Sequence, residues 1–149
     1  MTSEIINIKN IDKLPKNSVL AYGHFTTIHA GHIRYLRHAK KLGSNLIVAL
    51  LGDDKRIGDK KYAFKQNERA EALSLLSIAD YIVLMENINL KFLSEKLYPK
   101  VLVLGKEFEN SREKDIKESI EFQLNNKCEV HFHAAVSYTH LTLPTNREV

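Results

Sequence analysis

Cysteine is almost missing from this chain. Cys128 stands alone among 149 residues, which excludes an internal disulfide framework and a cysteine-built zinc cluster. No apolar run approaches the roughly 18 residues of a membrane span, and the N-terminus lacks the profile of a secretory signal. Arginine-rich blocks interleaved with aromatics, the pattern of a nucleic-acid track, are absent as well. The formal charge is +4, but its cations are spread along the chain, as in Lys40, Lys41, Lys55, Arg56, Lys60 and Lys61. That spread reads as a solvated surface with a few cations facing a small anionic substrate. These absences predict a soluble, cytoplasmic protein with no nucleic-acid or membrane partner. With 44% hydrophobic residues, the chain suffices for one well-packed domain.

No internal repeat or low-complexity linker precedes residue 136, and short apolar runs alternate with helical patterns. Residues 18–22 (SVLAY), 45–51 (NLIVALL), 80–85 (DYIVLM), 100–104 (KVLVL) and 128–133 (CEVHFH) read as strands. Continuous apolar runs of this kind suit strands covered on both faces. Between them lie four helical patterns. Ile33, Leu36 and Leu42 mark the first, with Gly43 as its C-terminal cap. Asn67 is placed to cap the second, with Ala70, Leu73, Leu76 and Ala79 turned inward. Leu90, Leu93 and Leu97 mark the third, ended by Pro99, and Ile116, Ile120, Phe122 and Leu124 the fourth. The alternation predicts an α/β fold: a three-layer, Rossmann-like domain with a parallel five-stranded sheet. In such sheets ligands bind beyond the carboxyl ends of the strands, near the switch point.

That rule singles out residues 23–32, GHFTTIHAGH, directly after the first strand. Gly23 lets the chain turn sharply out of the strand. His29 and His32 lie three apart at a helix start and so share a face, beside the helix's free N–H groups and its positive dipole end. Gly31 keeps bulk away from an approaching ligand. Two imidazoles with backbone donors suit a triphosphate and the charge that develops on its α-phosphorus. The spacing alone also admits a metal pair, although no Glu or Cys nearby completes a set, and it admits a purely structural role. Neither GxxxxGK[ST] nor GxGxxG occurs.

The segment resembles the GxFDxxHxGH signature of the cytidylyltransferase-like nucleotidyltransferases. The resemblance continues through NERAEAL at residues 67–73, ADYIVL at 79–84 and PKVLVLGKEF at 99–108, and is similar in order to the adenylyltransferase domain of ADP-heptose synthases. It implies transfer of a nucleoside monophosphate, AMP favoured, from a nucleoside triphosphate to a sugar phosphate or similar phosphorylated small molecule, with release of pyrophosphate. The alternatives are a CTP-dependent cytidylyltransferase for a polyol or alcohol phosphate, and a nucleotide-binding module without turnover. Under the resemblance, His29 and His32 are the catalytic pair. Gly23, His24, Phe25, Thr26, Gly31, Arg69, Gly105 and Lys106 belong to the nucleotide and phosphate site. Asp53, Lys60 and Lys61 serve the acceptor substrate. Arg69 would sit near the phosphates or orient the loop, and its rival role is an ion pair with Glu68 or Glu71. Mg²⁺ is implied as a companion of the nucleotide, without direct protein ligands. The resemblance is compatible with a homodimer and with a fused sugar-kinase domain.

Three features depart from the family pattern. Thr26 stands where Asp or Asn is usual, and Leu104 where heptose-type enzymes carry Lys before the glycine, with Lys106 as a substitute cation. The third is residues 136–149, VSYTHLTLPTNREV, where the family has a Ser/Thr-rich closing motif. This string resembles a translated sequencing adapter. The expected organisation is therefore a C-terminally truncated nucleotidyltransferase domain over 1–135 and a non-native tail over 136–149. An unbroken genomic reading frame through residues 136–149 would refute the second part.

Overall fold

The structure is a computed structural model and describes residues 3–26, 28–53, 64–133 and 138–141. Among the described residues, seven strands form one sheet: β1 (Glu4–Ile6), β2 (Val19–Gly23), β3 (Leu46–Leu50), β4 (Tyr81–Leu84), β5 (Val101–Gly105), β6 (Glu129–His133) and β7 (Tyr138–Leu141). Their spatial order is β1-β4-β3-β2-β5-β6-β7. Four helices connect them: α1 (Ala30–Lys40), α2 (Gln66–Leu76), α3 (Leu90–Leu97) and α4 (Lys114–Asn125). The α/β class holds, and β2 to β6 are the five expected strands. Two strands go beyond the expectation. β1 extends the sheet beside β4 in parallel, and β7 pairs with β6 antiparallel, so the sheet is parallel through six strands only. Three residues are too few for β1 to show a periodic pattern. β7 falls inside the segment expected to be a tail.

Each strand sends alternate residues to opposite faces, and both faces are covered. Val19, Ala21, Val48 and Val103 pack with Tyr35, Leu36 and Ala39 of α1 and with Ala70 and Leu73 of α2. Leu20, Tyr22, Ile47, Leu102 and Phe132 pack with Leu90, Leu93 and Leu97 of α3 and Ile116 of α4. Ile11 and Leu14, in and beside a short 3-10 turn, close the same side.

Two helix-end expectations need correction. Asn67 lies inside the first turn of α2, which Lys65 precedes as the N-terminal boundary residue. Gln66 is the buried polar residue there, and its Nε2 donates to Leu50 O (3.0 Å) and Met85 O (3.2 Å) at the ends of two strands. Gly43 lies beyond the end of α1 at Lys40, with Lys41 as the cap. A Cβ at Gly43 would come within 2.9 Å of Val19 Cγ2, so close packing rather than capping explains the glycine. At α3, Asn89 Oδ1 accepts from Phe92 N (2.8 Å). The Asp115 carboxylate also accepts from Leu90 N and Lys91 N, each at 2.9 Å, and so joins the start of α3 to α4.

The central strands part where the chain order reverses. β2 pairs with β3 from Val19–Leu46 to Gly23–Leu50, but with β5 only from Val19–Val101 to Ala21–Val103. The Tyr35 hydroxyl fills the opening: it accepts from Tyr22 N at 3.2 Å and lies 2.7 Å from Val103 O and 3.0 Å from Tyr22 O. Burial pushes this phenol well above its usual range, which preserves the proton that the bridge needs. Tyr35→Phe is expected to cost about 1–3 kcal/mol in urea denaturation, because Tyr22 N loses its buried acceptor. An unchanged midpoint would refute the bridge.

Candidate active site

A cavity of about 400 Å³ opens above the parted carboxyl ends of β2 and β5. Of the sequence-predicted site residues, it brings together Gly23, His24, Phe25, Thr26, His29, Gly31, His32, Gly105 and Lys106. Tyr22, Tyr35, Glu107 and His133, which the sequence did not mark, line it too. A second hollow of about 450 Å³ lies between the loop and α2, with Ile28, Phe64, Glu68, Arg69, Glu71 and Ala72 on its walls.

His29 occupies the N-cap position of α1, and its Nδ1 accepts from Gly31 N at 3.0 Å. His32 Nδ1 in turn accepts from His29 N at 3.2 Å. The two rings lie 4.1 Å apart. Because each Nδ1 is an acceptor, the hydrogen bonds assign the neutral proton to Nε2 on both rings. Burial, then the neighbouring His29, hold His32 below the ordinary histidine value, against an opposing pull from Glu107. By their hydrogen bonds both rings present an Nε2–H donor. One expectation changes here. The backbone donors at the start of α1 are largely engaged, since His32 N and Ile33 N both donate to His29 O and Gly31 N to the His29 ring.

Phe25 explains the glycine before it. Its φ of 50° lies in the left-handed region, a costly conformation for an aromatic residue. Its ring is buried against Tyr35 (6.1 Å) and His32 (5.3 Å). A Cβ on Gly23 would meet Phe25 Cε2 at 3.0 Å, so a side chain there would have to push the folded-back ring aside by a few tenths of an ångström.

Arg69 lies apart from the cavity, with its side chain only 1% exposed. Nη1 donates to His24 O (2.6 Å), Nε to Phe64 O (3.0 Å) and Nη2 to Asp53 Oδ1 (2.9 Å). The same Asp53 oxygen accepts from Gln66 N at 2.8 Å. Of the two family-implied roles, the geometry matches loop orientation rather than phosphate contact. The rival pairing with Glu68 or Glu71 gives way to Asp53. Asp53 is thus a brace for Arg69 rather than a lining residue of the cavity. Lys60 and Lys61 lie outside the described residues. Leu104 is wholly buried in the core, so a lysine there would have to abandon that packing to reach the site. Lys106 pairs with Glu109 at 2.5 Å. Glu107 folds over Gly105, where a Cβ would overlap its carboxylate. Cys128 lies elsewhere, and burial raises its thiol away from the reactive range.

The profile of the cytidylyltransferase-like family matches residues 20–141, which include the loop, the histidine pair and all the strands lining the cavity. The chain belongs to the cytidylyltransferase-like family. It is 34% identical over 101 residues to the bifunctional protein HldE of Campylobacter fetus subsp. fetus (strain 82-40), covering 66% of this chain and 22% of that protein. It is 40% identical over 95 residues to the HldE of Helicobacter pylori (strain P12), covering 62% and 21%. The chain spans about a fifth of the length of these curated relatives. The crystal structure of a lipopolysaccharide core biosynthesis protein from Thermoplasma volcanium GSS1 superposes with a TM-score of 0.58 at 29% identity, covering 71% of this chain and 82% of that one. Pantothenate synthetase from Thermus thermophilus shares the fold at 12% identity, with a TM-score of 0.58 and coverage of 97% and 63%.

In this cytidylyltransferase-like domain the imidazoles next to α1 make acid the sensitive direction. His32, His38 (down to about 4) and His133 all titrate below the ordinary value of 6.5. Burial comes first in each case. Their contribution to stability is fully present above pH 6.5, where folded and unfolded chains both carry neutral rings. It is lost as the pH falls toward 4, because the unfolded chain takes up protons first. Urea midpoints are expected to fall already between pH 6.5 and 5, above the carboxylate range, and the slope to flatten in His38→Gln. Arg69→Ala is expected to lower the melting temperature and to raise the KM for nucleotide, by freeing the 24–25 turn. A variant with wild-type KM would show that Arg69 does not orient the loop.

Proposed function

We propose that this domain transfers a nucleoside monophosphate, AMP in preference to CMP, from a nucleoside triphosphate to a sugar phosphate or a similar phosphorylated small molecule. The observation that carries this reading is the reciprocal histidine cap, which presents two Nε2–H donors at the positive end of α1 beside an open strand switch point. A phosphate oxygen of the acceptor attacks the α-phosphorus. The bond from that phosphorus to the oxygen of the β-phosphate breaks, pyrophosphate leaves with its electron pair, and a new phosphoanhydride forms. His29 and His32 donate to the oxygens on which charge accumulates, and they need no reorganisation because the helix start already fixes both rings. No covalent enzyme intermediate enters the scheme.

Among the described residues no group of three His, Cys, Asp or Glu is built to hold a metal. In this proposal Mg²⁺ enters on the triphosphate as part of the substrate and neutralises the departing pyrophosphate. The preference for ATP rests on similarity to HldE, as does the proposal of a sugar-kinase partner domain in a longer chain. We place the reaction in the cytoplasm and expect a homodimer. Lys60 and Lys61 are proposed to hold the acceptor's phosphate.

Pyrophosphate release is the direct assay, run with ATP and CTP against a panel of phosphorylated sugars and polyols. Turnover with ATP and a sugar phosphate is expected. Turnover confined to CTP and a polyol phosphate would move the domain to the cytidylyl branch, and binding without release would overturn the catalytic reading. His32→Ala is expected to lower kcat by about 10²-fold or more. Near-normal turnover in that variant would dismiss the histidine pair as the catalytic centre.

A further inference from the structure

Three histidines that the phosphate chemistry does not use stand in a row between α1 and β6. His38 lies 5.9 Å from His131 and 5.1 Å from His133, nearly parallel to the latter at 29°. His133 then lies 5.8 Å from Tyr35 at 34°. His131, only 5% exposed, meets Glu129 Oε1 at 2.9 Å and forms the buried end of the row. His133 forms the other end, at the carboxyl terminus of β6 opposite Gly105, and lines the cavity. We infer that His133 is a specificity-determining residue of this site: its imidazole, steadied between Tyr35 and His38, hydrogen-bonds the uncharged nucleoside part of the nucleotide. The inference rests on the proposed nucleotidyl transfer and adds the residue that reads the nucleoside.

The span of the cavity carries the argument. The two Nε2–H donors and the helix dipole coincide at the start of α1. β6 lies two strands from β2, about 10 Å away by strand spacing and further where β2 and β5 part. That separation suits a ligand whose phosphates and nucleoside are at opposite ends. The Glu107 carboxylate, folded over Gly105 at the end of β5, adds an acceptor for hydroxyl and amino groups. Burial and the Arg34 guanidinium hold His133 below the usual histidine value, so it meets the ligand as a neutral donor and acceptor. His38 acts as a positioning residue, because its ring backs His133 on the side away from Tyr35.

Calorimetric titration of the full chain with two probes, ATP and inorganic tripolyphosphate, tests this. His133→Phe keeps the stacked ring and loses the hydrogen bonds. It is expected to weaken ATP binding about tenfold and to leave tripolyphosphate binding within about twofold. His32→Ala is expected to weaken both. His38→Ala is expected to raise the KM for ATP with little change in kcat, and His38→Phe to restore it, an outcome that a merely structural role would not give. Equal losses for ATP and tripolyphosphate in His133→Phe would make His133 a phosphate ligand and overturn the inference, as would no loss for either probe. If the wild-type chain releases pyrophosphate while His133→Phe binds ATP normally, this inference alone fails. If the wild-type chain binds neither probe, the nucleotidyl-transfer reading fails with it.

Discussion

The Tyr35 hydroxyl bridges the sheet where the carboxyl ends of β2 and β5 part. A parallel sheet with helices on both faces has to reverse direction somewhere, and here the reversal separates β2 from β5 after three paired residues. Exposed backbone groups in that gap would either draw water into the core or force the strands together and erase the cavity. A buried phenol that reaches Tyr22 and Val103 at once avoids both outcomes. The same ring supports Phe25 from below and stacks against His133. The floor of the site and the spacing of its strands thus depend on a single side chain of α1.

On that floor the loop is fixed by constraints that act in sequence. Glycine at 23 admits the Phe25 ring, Phe25 accepts a left-handed backbone in exchange for burial, and the resulting turn delivers His24 O to Arg69. Arg69 commits its guanidinium to backbone and to Asp53, joining the ends of β2 and β3 and the start of α2. The geometry of the loop thus depends on backbone strain at Phe25 and on the buried charge of Arg69.

Much of this was legible in the sequence, for definite reasons. Continuous apolar runs such as NLIVALL identified strands covered on both sides, and the histidine spacing in GHFTTIHAGH located the loop that lines the cavity. β1 escaped because three residues cannot display a period. Asn67 drew attention as a cap because its side chain suits that position, but the boundary lies two residues earlier at Lys65, and Gln66 opens the helix by satisfying two strand-end carbonyls. The role of Arg69 was legible only as a pair of alternatives, since its partners are 5 to 45 positions away. His133 alternates with His131 along the last strand, a pattern that reads as strand-end packing rather than as part of the site. Its significance comes from His38 and Tyr35, which reach it across the interface between α1 and β6.

The reciprocal cap at the start of α1 makes His29 and His32 a single unit in energetic terms. Each ring is oriented through the backbone of the other's turn: one accepts from Gly31, and the other from His29 itself. Deleting either ring leaves an N–H at the helix start without its acceptor and removes a ring that packs 4.1 Å from its neighbour, so the effects of the two deletions are expected to be coupled. Evolution and engineering alike face a pair whose members are changed together, and this coupling reaches the helix itself, because the same two rings begin α1.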